Sequence, residues 1–308
     1  MKASYFEEHG GREVLKYGDL PDPKAGPGEV VVDIHAASVN GADWKVRSGA
    51  YGGAPLTFPY VLGRDFSGVV SEIGEGVTDL KIGDAVFGVC DVGQEGTYAE
   101  KVAMKASIVA KKPDAISHQE AAALALTGLT ALVSIEDTIQ LKPGEKILIQ
   151  GGAGGVASFA VQVAKHIGAR VISTTSAGNI DYVRSLGADE VIDYNAVDFT
   201  EVVSDCDAVF ETVGGDVGLR SFSVLKPGGR AAFIGSGGRA PESPRTEVRS
   251  LRPKVGRDRE HLERVAELVT SGAVRAPKIT TFTLEHAGEA HRVSEGRHFR
   301  GKLIFAIR

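Results

Sequence analysis

The chain has 308 residues, of which 43% are hydrophobic and 24% charged, so it is long enough for two globular domains with ordinary cores. The formal net charge of −5 argues against nucleic acid or an anionic membrane as a partner. The most apolar stretch, residues 121–135, is too short and too polar to span a bilayer, and the N-terminus turns acidic before a signal-peptide core forms. We therefore expect a cytoplasmic protein.

The first hundred residues are predicted to form short strands separated by Gly, Pro and Asp. Apolar runs at 29–39, 61–74, 85–90 and 97–104 have the spacing typical of an antiparallel barrel or sandwich. One short helix is predicted at 40–49. This part of the chain is therefore expected to be a β-rich domain.

The pattern changes at residue 117, where Ser117 and Glu120 stand in capping-box spacing and open a predicted helix over 117–137. Apolar strands then alternate with amphipathic helices, which predicts a parallel sheet covered on both faces. The strands are predicted at 146–150, 170–174, 190–194, 207–213 and 230–235, and the helices at 155–168, 179–187 and 217–225. Residues 237–254 are expected to be loop-like, 258–272 to form a helix ending at Gly272, and the tail to form a helix and a closing strand.

A glycine pattern lies between the first of these strands and its helix. Gly152, Gly154 and Ala157 fit G-x-G-x-x-G/A, in which the first glycine permits a tight turn and the second lets backbone amides approach a pyrophosphate. The helix N-terminus adds partial positive charge. Dinucleotide binding is the favoured interpretation, and a plain glycine-rich turn is the alternative.

The end of the second strand bears on which dinucleotide is bound. An acid about 20 residues after the glycines would bind the ribose hydroxyls of NAD. Residues 173–179 read "STTSAGN" and contain no carboxylate, whereas Thr175, Ser176 and Asn179 offer hydrogen bonds to a 2′-phosphate. NADP is therefore favoured, although these residues also suit an ordinary polar loop, and any cationic partner must come from elsewhere in the chain.

With a β-rich domain first and the glycine motif after it, the chain resembles the medium-chain dehydrogenase/reductase superfamily. It is most similar to the zinc-free quinone oxidoreductase branch, which includes zeta-crystallin and NADPH-dependent enone reductases. The resemblance covers essentially the full length. It is carried, in order, by "HAASVNGADWKVRSGAY", "FPYVLGRDFSGVVSEIGEGV", "GDAVFG", "AAALALTGLTA", "GGAGGVASFAVQVAK", "SLGADEVIDY", "ETVGGD", "LKPGGR" and "RGKL". It implies an α/β fold in which a GroES-like β-rich catalytic domain, 1–122 and 269–308, is split by a Rossmann domain with a doubly wound parallel sheet, 123–268.

The resemblance also implies NADPH in the cleft between the domains. It places Asn40 and Thr127 at the nicotinamide and Arg297 on the adenosine phosphate, where it would be the missing cation, although a solvated helix-end charge is the alternative. The remaining cofactor residues are Gly152, Gly154, Gly155 and Val156 at the pyrophosphate, Thr175, Ser176, Asn179 and Tyr194 in the adenosine-phosphate pocket, and Val213 and Gly235.

Three residues are candidates for catalysis. Tyr51 resembles the tyrosine that faces the substrate in some relatives, and its phenol would donate to the substrate carbonyl; an ordinary packed or exposed tyrosine is the alternative. Asn40 and Asp43 are three residues apart and share a helix face. Asp43 either orients Asn40 or serves a structural role by bonding a backbone amide.

No metal site is expected. Where zinc-dependent members carry ligands, this chain has Asn40, Arg64 and Asp65. Cys90 and Cys206 are far apart, so they are expected to be buried thiols and not part of a zinc cluster or disulfide.

The predicted activity is zinc-independent hydride transfer from NADPH to a quinone or to the β-carbon of an α,β-unsaturated carbonyl compound. The family resemblance implies a homodimer. One alternative is a non-enzymatic NADPH-binding protein, structural or RNA-associated; another is a zinc-free alcohol dehydrogenase.

Overall fold

The computed structural model describes residues 1–51, 55–91 and 93–308, which divide into two compact units. Unit 1 comprises Met1–Leu126, Gly256–Thr270 and Ala276–Arg308, and unit 2 comprises Thr127–Val255 and Ser271–Arg275. The domain limits predicted from the sequence, 122/123 and 268/269, stay a prediction. The compact units separate at 126/127, and residues 256–270 group with unit 1.

Unit 1 is mainly β-structure. Its strands are β1 Lys2–Phe6, β2 Lys16–Asp19, β3 Glu29–Val39, β4 Tyr60–Val61, β5 Asp65–Ile73, β6 Ala85–Val89, β7 Lys101–Lys105 and β8 Val109–Lys111. Its first helix is α1 Asp43–Arg47, and α2 His118–Leu132 begins in unit 1 and contains the limit between the units.

Unit 2 alternates strands and helices. These are β9 Lys146–Ile149, α3 Gly155–Ile167, β10 Arg170–Thr175, α4 Ile180–Ser185, β11 Glu190–Asp193, α5 Phe199–Val202, β12 Cys206–Glu211, α6 Gly215–Arg220, β13 Leu225–Phe233 and β14 Arg249–Leu251. The chain then returns to unit 1 with α7 Arg259–Thr270, β15 Ile279–Phe282, α8 Ala287–Gly296 and β16 Lys302–Ala306.

Strand β3 is the centre of unit 1. It pairs antiparallel with β5, β7 and β16 in a seven-stranded sheet of order β15-β16-β3-β5-β6-β8. Val30, Val32 and Ile34 are fully buried because their side chains pack into one apolar cluster that includes Phe66 and Met104. The register Leu303↔Val39 brings the C-terminal strand beside the end of β3, next to Asn40. The prediction of a β-rich domain is confirmed.

The sheet of unit 2 is parallel throughout, with the order β11-β10-β9-β12-β13-β14. β9 is flanked by β10 and β12, and Ile147, Leu148 and Ile149 have no exposed surface. The strand order reverses at β9, and sheets of this kind bind ligands beyond the carboxyl ends of the strands at such a reversal. The predicted doubly wound sheet is confirmed.

Two predictions about local structure need correction. Residues 237–254 are not all loop, because β14 adds a sixth strand to the sheet through parallel pairing with β13. The helix predicted over 117–137 is present, but α2 covers only its first part and continues into a wider, π-helical segment, Val133–Ile139. The combined 22 residues are long and apolar enough to cross a membrane, but 72% of the most apolar window is buried within the protein, as in a core helix.

Both cysteines are buried and free, as predicted. Burial raises the pKa of Cys206 to about 11 and raises that of Cys90 further. Both side chains are therefore neutral thiols near neutral pH.

Candidate active site and nucleotide loop

The glycine turn of unit 2 follows β9. The residue with positive φ is Gly151 (φ +74°), not Gly152, so the tight turn occurs one residue earlier than the sequence pattern predicted. Gly152 serves close packing instead, because a Cβ there would lie 2.2 Å from Ser173 Oγ on β10. Its amide donates to Thr174 O at 2.9 Å. Gly151 therefore allows the tight turn, and Gly152 allows this segment to pack closely against β10.

Helix α3 begins after this turn without a side-chain cap. Gly154 is the N-cap residue, and the first backbone bond of the helix runs from Ser158 N to Gly154 O at 2.8 Å. The amides of Gly155, Val156 and Ala157 precede that bond and have no acceptor within the helix. An uncapped, glycine-flanked helix N-terminus at the reversal of the sheet suits a pyrophosphate.

Strand β10 ends at Thr175, which is buried and accepts a bond from Tyr194 N at 3.1 Å. Ser176 then opens a short 3-10 turn, where Asn179 Nδ2 donates to Ser176 Oγ at 3.1 Å. Tyr194 is half exposed. These four predicted residues therefore lie at the same end of β10 and β11. They present hydroxyl and amide groups, but Asp193 lies opposite Thr175 in the strand register.

The ends of β12 and β13 approach each other closely at Gly214 and Gly235. A Cβ on Gly235 would lie 2.6 Å from Gly214 N, so backbone packing alone requires this glycine, whatever its part in cofactor binding. The buried Glu211 accepts bonds from Val213 N at 2.6 Å and Gly214 N at 2.7 Å, which fixes the loop after β12. Burial raises the pKa of Glu211.

In unit 1, the Asn40 amide bridges a buried cation and a buried anion. Lys302 Nζ donates to Asn40 Oδ1 at 2.7 Å and to Val39 O at 2.9 Å. Asn40 Nδ2 donates to Asp65 Oδ1 at 2.8 Å, and both Asp65 oxygens also accept from Ser38 Oγ. Because an ammonium only donates and a carboxylate only accepts, the orientation of the amide is fixed.

Asp43 caps the turn that follows β3. Its Oδ2 accepts from Asn40 N at 2.8 Å and from Tyr98 OH at 2.7 Å. Asp43 thus bonds a backbone amide, one of the two roles that the sequence left open. Its Oδ1 is buried without a hydrogen bond among the described residues, and burial raises the pKa of Asp43 to about 6.

A buried histidine extends this network. The Arg47 guanidinium can only donate, so His291 Nδ1, 2.8 Å away, accepts. Burial, with the nearby Arg47 charge, lowers the pKa of His291 to about 3, so the ring is neutral and its Nε2 carries the proton toward the Tyr98 hydroxyl at 3.3 Å. The chain Arg47–His291–Tyr98 therefore ends in a donor to Asp43.

Arg64 lies between two carboxylates and a tyrosine. Its Nε is 2.8 Å from Glu95 Oε1 and 3.9 Å from Asp43 Oδ1. Its Nη1 is 3.5 Å from Tyr51 OH, and its Cζ is 4.8 Å from the centroid of the Tyr51 ring. Burial, with the neighbouring Asp43, raises the pKa of Glu95 to about 7.

Replacing Glu95 by glutamine should change how stability depends on pH. The raised pKa means that folded Glu95 holds its proton up to about pH 7, whereas the unfolded residue loses it near the ordinary glutamate pKa of 4.5. Folded protein therefore binds more protons between these pH values, and this group makes stability fall as pH rises through them. We expect urea unfolding of Glu95→Gln to show a fall about 2 kcal/mol smaller than that of the wild-type protein between pH 4.5 and 7.5. The control Glu267→Gln, at an exposed residue, should show the same fall in the free energy of unfolding as the wild-type protein. If Glu95→Gln also shows the wild-type fall, burial does not raise the pKa of Glu95.

Of the predicted site residues, unit 1 brings Asn40 and Asp43 together and places Tyr51 beside Arg64. Arg297 is exposed, with its Cζ 6.0 Å from the Trp44 ring centroid. Thr127 is buried in α2 and belongs to unit 2. No site role was predicted for Lys302, Glu95, Tyr98 or His291. Only Lys302 had a signal, as a lysine within the apolar "RGKLIF" of a strand.

The side chains at the positions of zinc ligands do not suit zinc. Asn40 and Asp65 are bonded to each other, and Arg64 places a positive charge beside them. Across residues 1–51, 55–91 and 93–308, no three His, Cys, Asp or Glu side chains are grouped so that they could hold a metal ion.

Two family models match the chain: the alcohol dehydrogenase GroES-like domain over residues 26–114 and the zinc-binding dehydrogenase family over 186–305. A 2-methylene-furan-3-one reductase of Solanum lycopersicum is 33% identical over 99% of this chain and 78% of its own length. The quinone oxidoreductase of Coxiella burnetii superposes with a TM-score of 0.91 at 34% identity, covering 100% and 99% of the two chains. The Escherichia coli quinone oxidoreductase, solved in complex with NADPH, gives a TM-score of 0.90 at 29% identity, covering 99% and 100%.

Proposed function

Since the chain belongs to the quinone oxidoreductase branch of the medium-chain dehydrogenase/reductase superfamily, we propose that it reduces a quinone or an α,β-unsaturated carbonyl compound with NADPH and without zinc. The observation that carries the proposal is the uncapped N-terminus of α3, which follows a glycine turn and adjoins β10, a strand that ends in Thr174 and Thr175 and is followed by Ser176. The relatives are named as reductases of this kind, and one was solved with NADPH.

Residues of unit 2 would hold the cofactor. The amides of Gly155 and Val156 would bind the pyrophosphate, with Gly152 and Gly154 shaping the turn, and Val213 and Gly235 would line the neighbouring strand ends. Thr175, Ser176, Asn179 and Tyr194 would bind the adenosine phosphate, and Thr127 would position the nicotinamide. NADPH supplies the hydride when bound.

In unit 1, the proposed catalytic residues act on the acceptor. Asn40 is held in one orientation by Lys302 and Asp65, and Asp43 fixes the backbone of Asn40. The hydroxyl of the half-exposed Tyr51 donates to the acceptor oxygen. Because a conjugated acceptor is already electrophilic, the reduction needs no Lewis acid.

The test is the loss of reduced-nicotinamide absorbance with NADPH or NADH, using menadione, methyl vinyl ketone or no acceptor. We expect acceptor-dependent oxidation of NADPH and little oxidation of NADH. Tight NADPH binding without turnover would favour the alternative, a non-enzymatic NADPH-binding protein. Activity only in the direction of alcohol oxidation would favour a zinc-free alcohol dehydrogenase.

A substitution at the end of β10 tests the cofactor preference. Ser176→Asp places a carboxylate where the adenosine phosphate would lie, and like charges in contact cost several kcal/mol. We expect the KM for NADPH to rise roughly 10- to 100-fold, with a smaller change for NADH. The control Ser223→Asp alters an exposed serine elsewhere in unit 2 and should leave both values unchanged. If Ser176→Asp raised the KM for NADPH and the KM for NADH equally, the adenosine phosphate would not bind at this position.

We also propose a cytoplasmic homodimer that takes neither nucleic acid nor membrane as a partner. The net charge of −5 supports the first exclusion and the burial of the long apolar helix supports the second. Light scattering tests the dimer: twice the 32.3 kDa of one chain is expected, and a monomer mass would refute it.

A further inference from the structure

Arg64 is fixed in place by its backbone and by its neighbours. Its carbonyl accepts from Cys90 N at 2.6 Å, and the preceding Gly63 has a φ of +98°. A Cβ on Gly63 would lie 2.3 Å from Thr97 Oγ1, so the chain packs closely here. The Arg64 side chain is only 17% exposed. Such a guanidinium loses little conformational freedom when it binds a ligand.

The nitrogen atoms of Arg64 face different partners. Nε faces the carboxylates of Glu95 and Asp43, whereas Nη1 faces Tyr51 OH at 3.5 Å. Nη2 donates no hydrogen bond within the described residues. The carboxylates therefore hold one part of the guanidinium and leave N–H donors beside the Tyr51 hydroxyl.

Tyr51 provides the second donor of this pair. Its backbone amide donates to Lys45 O at 3.1 Å, which ties it to α1, and its side chain is 49% exposed. The guanidinium lies over its ring. A second cation, Arg257, lies near Arg64: its Nε donates to Cys90 O at 2.9 Å, and Cys90 N donates to Arg64 O. Burial, with the Arg64 charge, lowers the pKa of Arg257. The open side of Tyr51 therefore borders a positively charged group of donors.

We propose that Arg64 is a catalytic residue whose guanidinium, together with the Tyr51 hydroxyl, donates to the carbonyl or quinone oxygen of the acceptor and stabilises the negative charge that develops there. The proposal rests on the proposed function and deepens it, because it assigns the electrophilic group of a site in which zinc does not fit. A guanidinium provides a cation and directed N–H donors without a metal.

The reaction balances with NADPH as reductant. In an enone, the hydride forms a C–H bond at the β-carbon, the carbon–carbon π electrons shift, and the carbonyl π pair moves onto oxygen as an enolate. Arg64 and Tyr51 bind this oxygen. A proton from solvent then adds to the α-carbon and the carbonyl re-forms; a quinone gains the hydride and one proton to become a hydroquinone.

The test compares two acceptors in Arg64→Gln. Because menadione gains aromatic stabilisation on reduction and methyl vinyl ketone does not, the enone depends more strongly on oxyanion stabilisation. We expect kcat/KM to fall about 100-fold or more for the enone and less than about tenfold for menadione, with the KM for NADPH within about twofold of wild type. Arg64→Lys, which keeps the charge beside Glu95 and Asp43, should fold and show a smaller change in the same direction. The control Arg308→Gln removes an arginine paired with Asp33 and should change neither activity.

A purely structural Arg64 predicts equal losses with both acceptors, and that result would overturn the proposal. A titration with para-nitrophenolate measures oxyanion binding independently of turnover. We expect Arg64→Gln and Tyr51→Phe each to weaken it about tenfold or more. If wild-type protein oxidises NADPH with neither acceptor, the proposed function fails. In that case the phenolate titration still tests the role of Arg64. Weaker binding of para-nitrophenolate by Arg64→Gln supports the oxyanion site, and unchanged binding refutes it.

Discussion

Replacing Lys302 by methionine should destabilise the folded protein by about 3–5 kcal/mol. Lys302 is fully buried, its ammonium bonds Asn40 and Val39, and the Asp65 carboxylate lies on the other side of the Asn40 amide. Methionine fills a similar volume but leaves the Asp65 charge buried without its cation. Burial lowers the pKa of Lys302, and the nearby carboxylates of Asp65 and Asp43 offset only part of this effect.

The measurement is urea unfolding of a double-mutant cycle. Lys302→Met and Asp65→Asn should each destabilise strongly, and the double variant should be more stable than the sum of the two losses predicts, because it removes both charges. The control Lys105→Met breaks an exposed pair with Asp91 and should cost less than about 1 kcal/mol. Additive losses in the cycle would show that Asn40 does not bridge a coupled pair.

The second large effect is expected at Arg230 in unit 2. Replacing it by methionine should cost about 3 kcal/mol, since one buried and three partly buried acceptors would lose a charged donor. Its side chain is 9% exposed and donates to Ile139 O at 2.5 Å, Gln140 O at 3.2 Å, Asp207 O at 3.1 Å and Glu145 Oε2 at 2.5 Å. Gln140 ends the π-helical segment with a φ of +55°. Arg230 therefore holds the carbonyls of a helix end that has few other donors.

Thermal unfolding of Arg230→Met and Arg230→Lys measures this contribution. Lysine keeps the charge but cannot reach four acceptors from one planar group, so it should recover only part of the loss. The control Arg170→Met removes an exposed arginine whose nearest carboxylate is 3.9 Å away, and should change stability by less than about 0.5 kcal/mol. If Arg230→Met and the control had similar midpoints of thermal unfolding, Arg230 would not contribute to stability as proposed.

The elements were predictable where local pattern decides them. Residues 29–39 form a strand with the predicted limits, and Ser117 and Glu120 make the predicted capping box, with Ser117 N to Glu120 Oε2 at 2.8 Å. β14 was missed because three residues in a glycine- and proline-rich segment carry no periodic signal, and only pairing with β13 makes them a strand. The positive φ fell on Gly151, which the G-x-G-x-x-G/A pattern does not include.

The candidate site was predictable only in part. The glycine motif marks the nucleotide loop locally, so Gly152 and Gly154 were found at once. Lys302 and Asn40 are far apart in sequence and meet because β16 pairs with β3. Glu95 reaches Arg64 across a loop in the same way. Contacts of this kind depend on strand order and register, which a single sequence does not encode in its spacing.

The burial of both cysteines has a consequence for an enzyme that handles enones. Such compounds are Michael acceptors, and they alkylate thiolates. Cys90 and Cys206 are shielded and neutral, so the acceptor that the protein is proposed to reduce finds no sulfur nucleophile in the chain. We therefore expect the folded protein to stay active over many turnovers, because its enone substrate cannot alkylate the buried thiols. Unfolding would expose both thiols to the same enone.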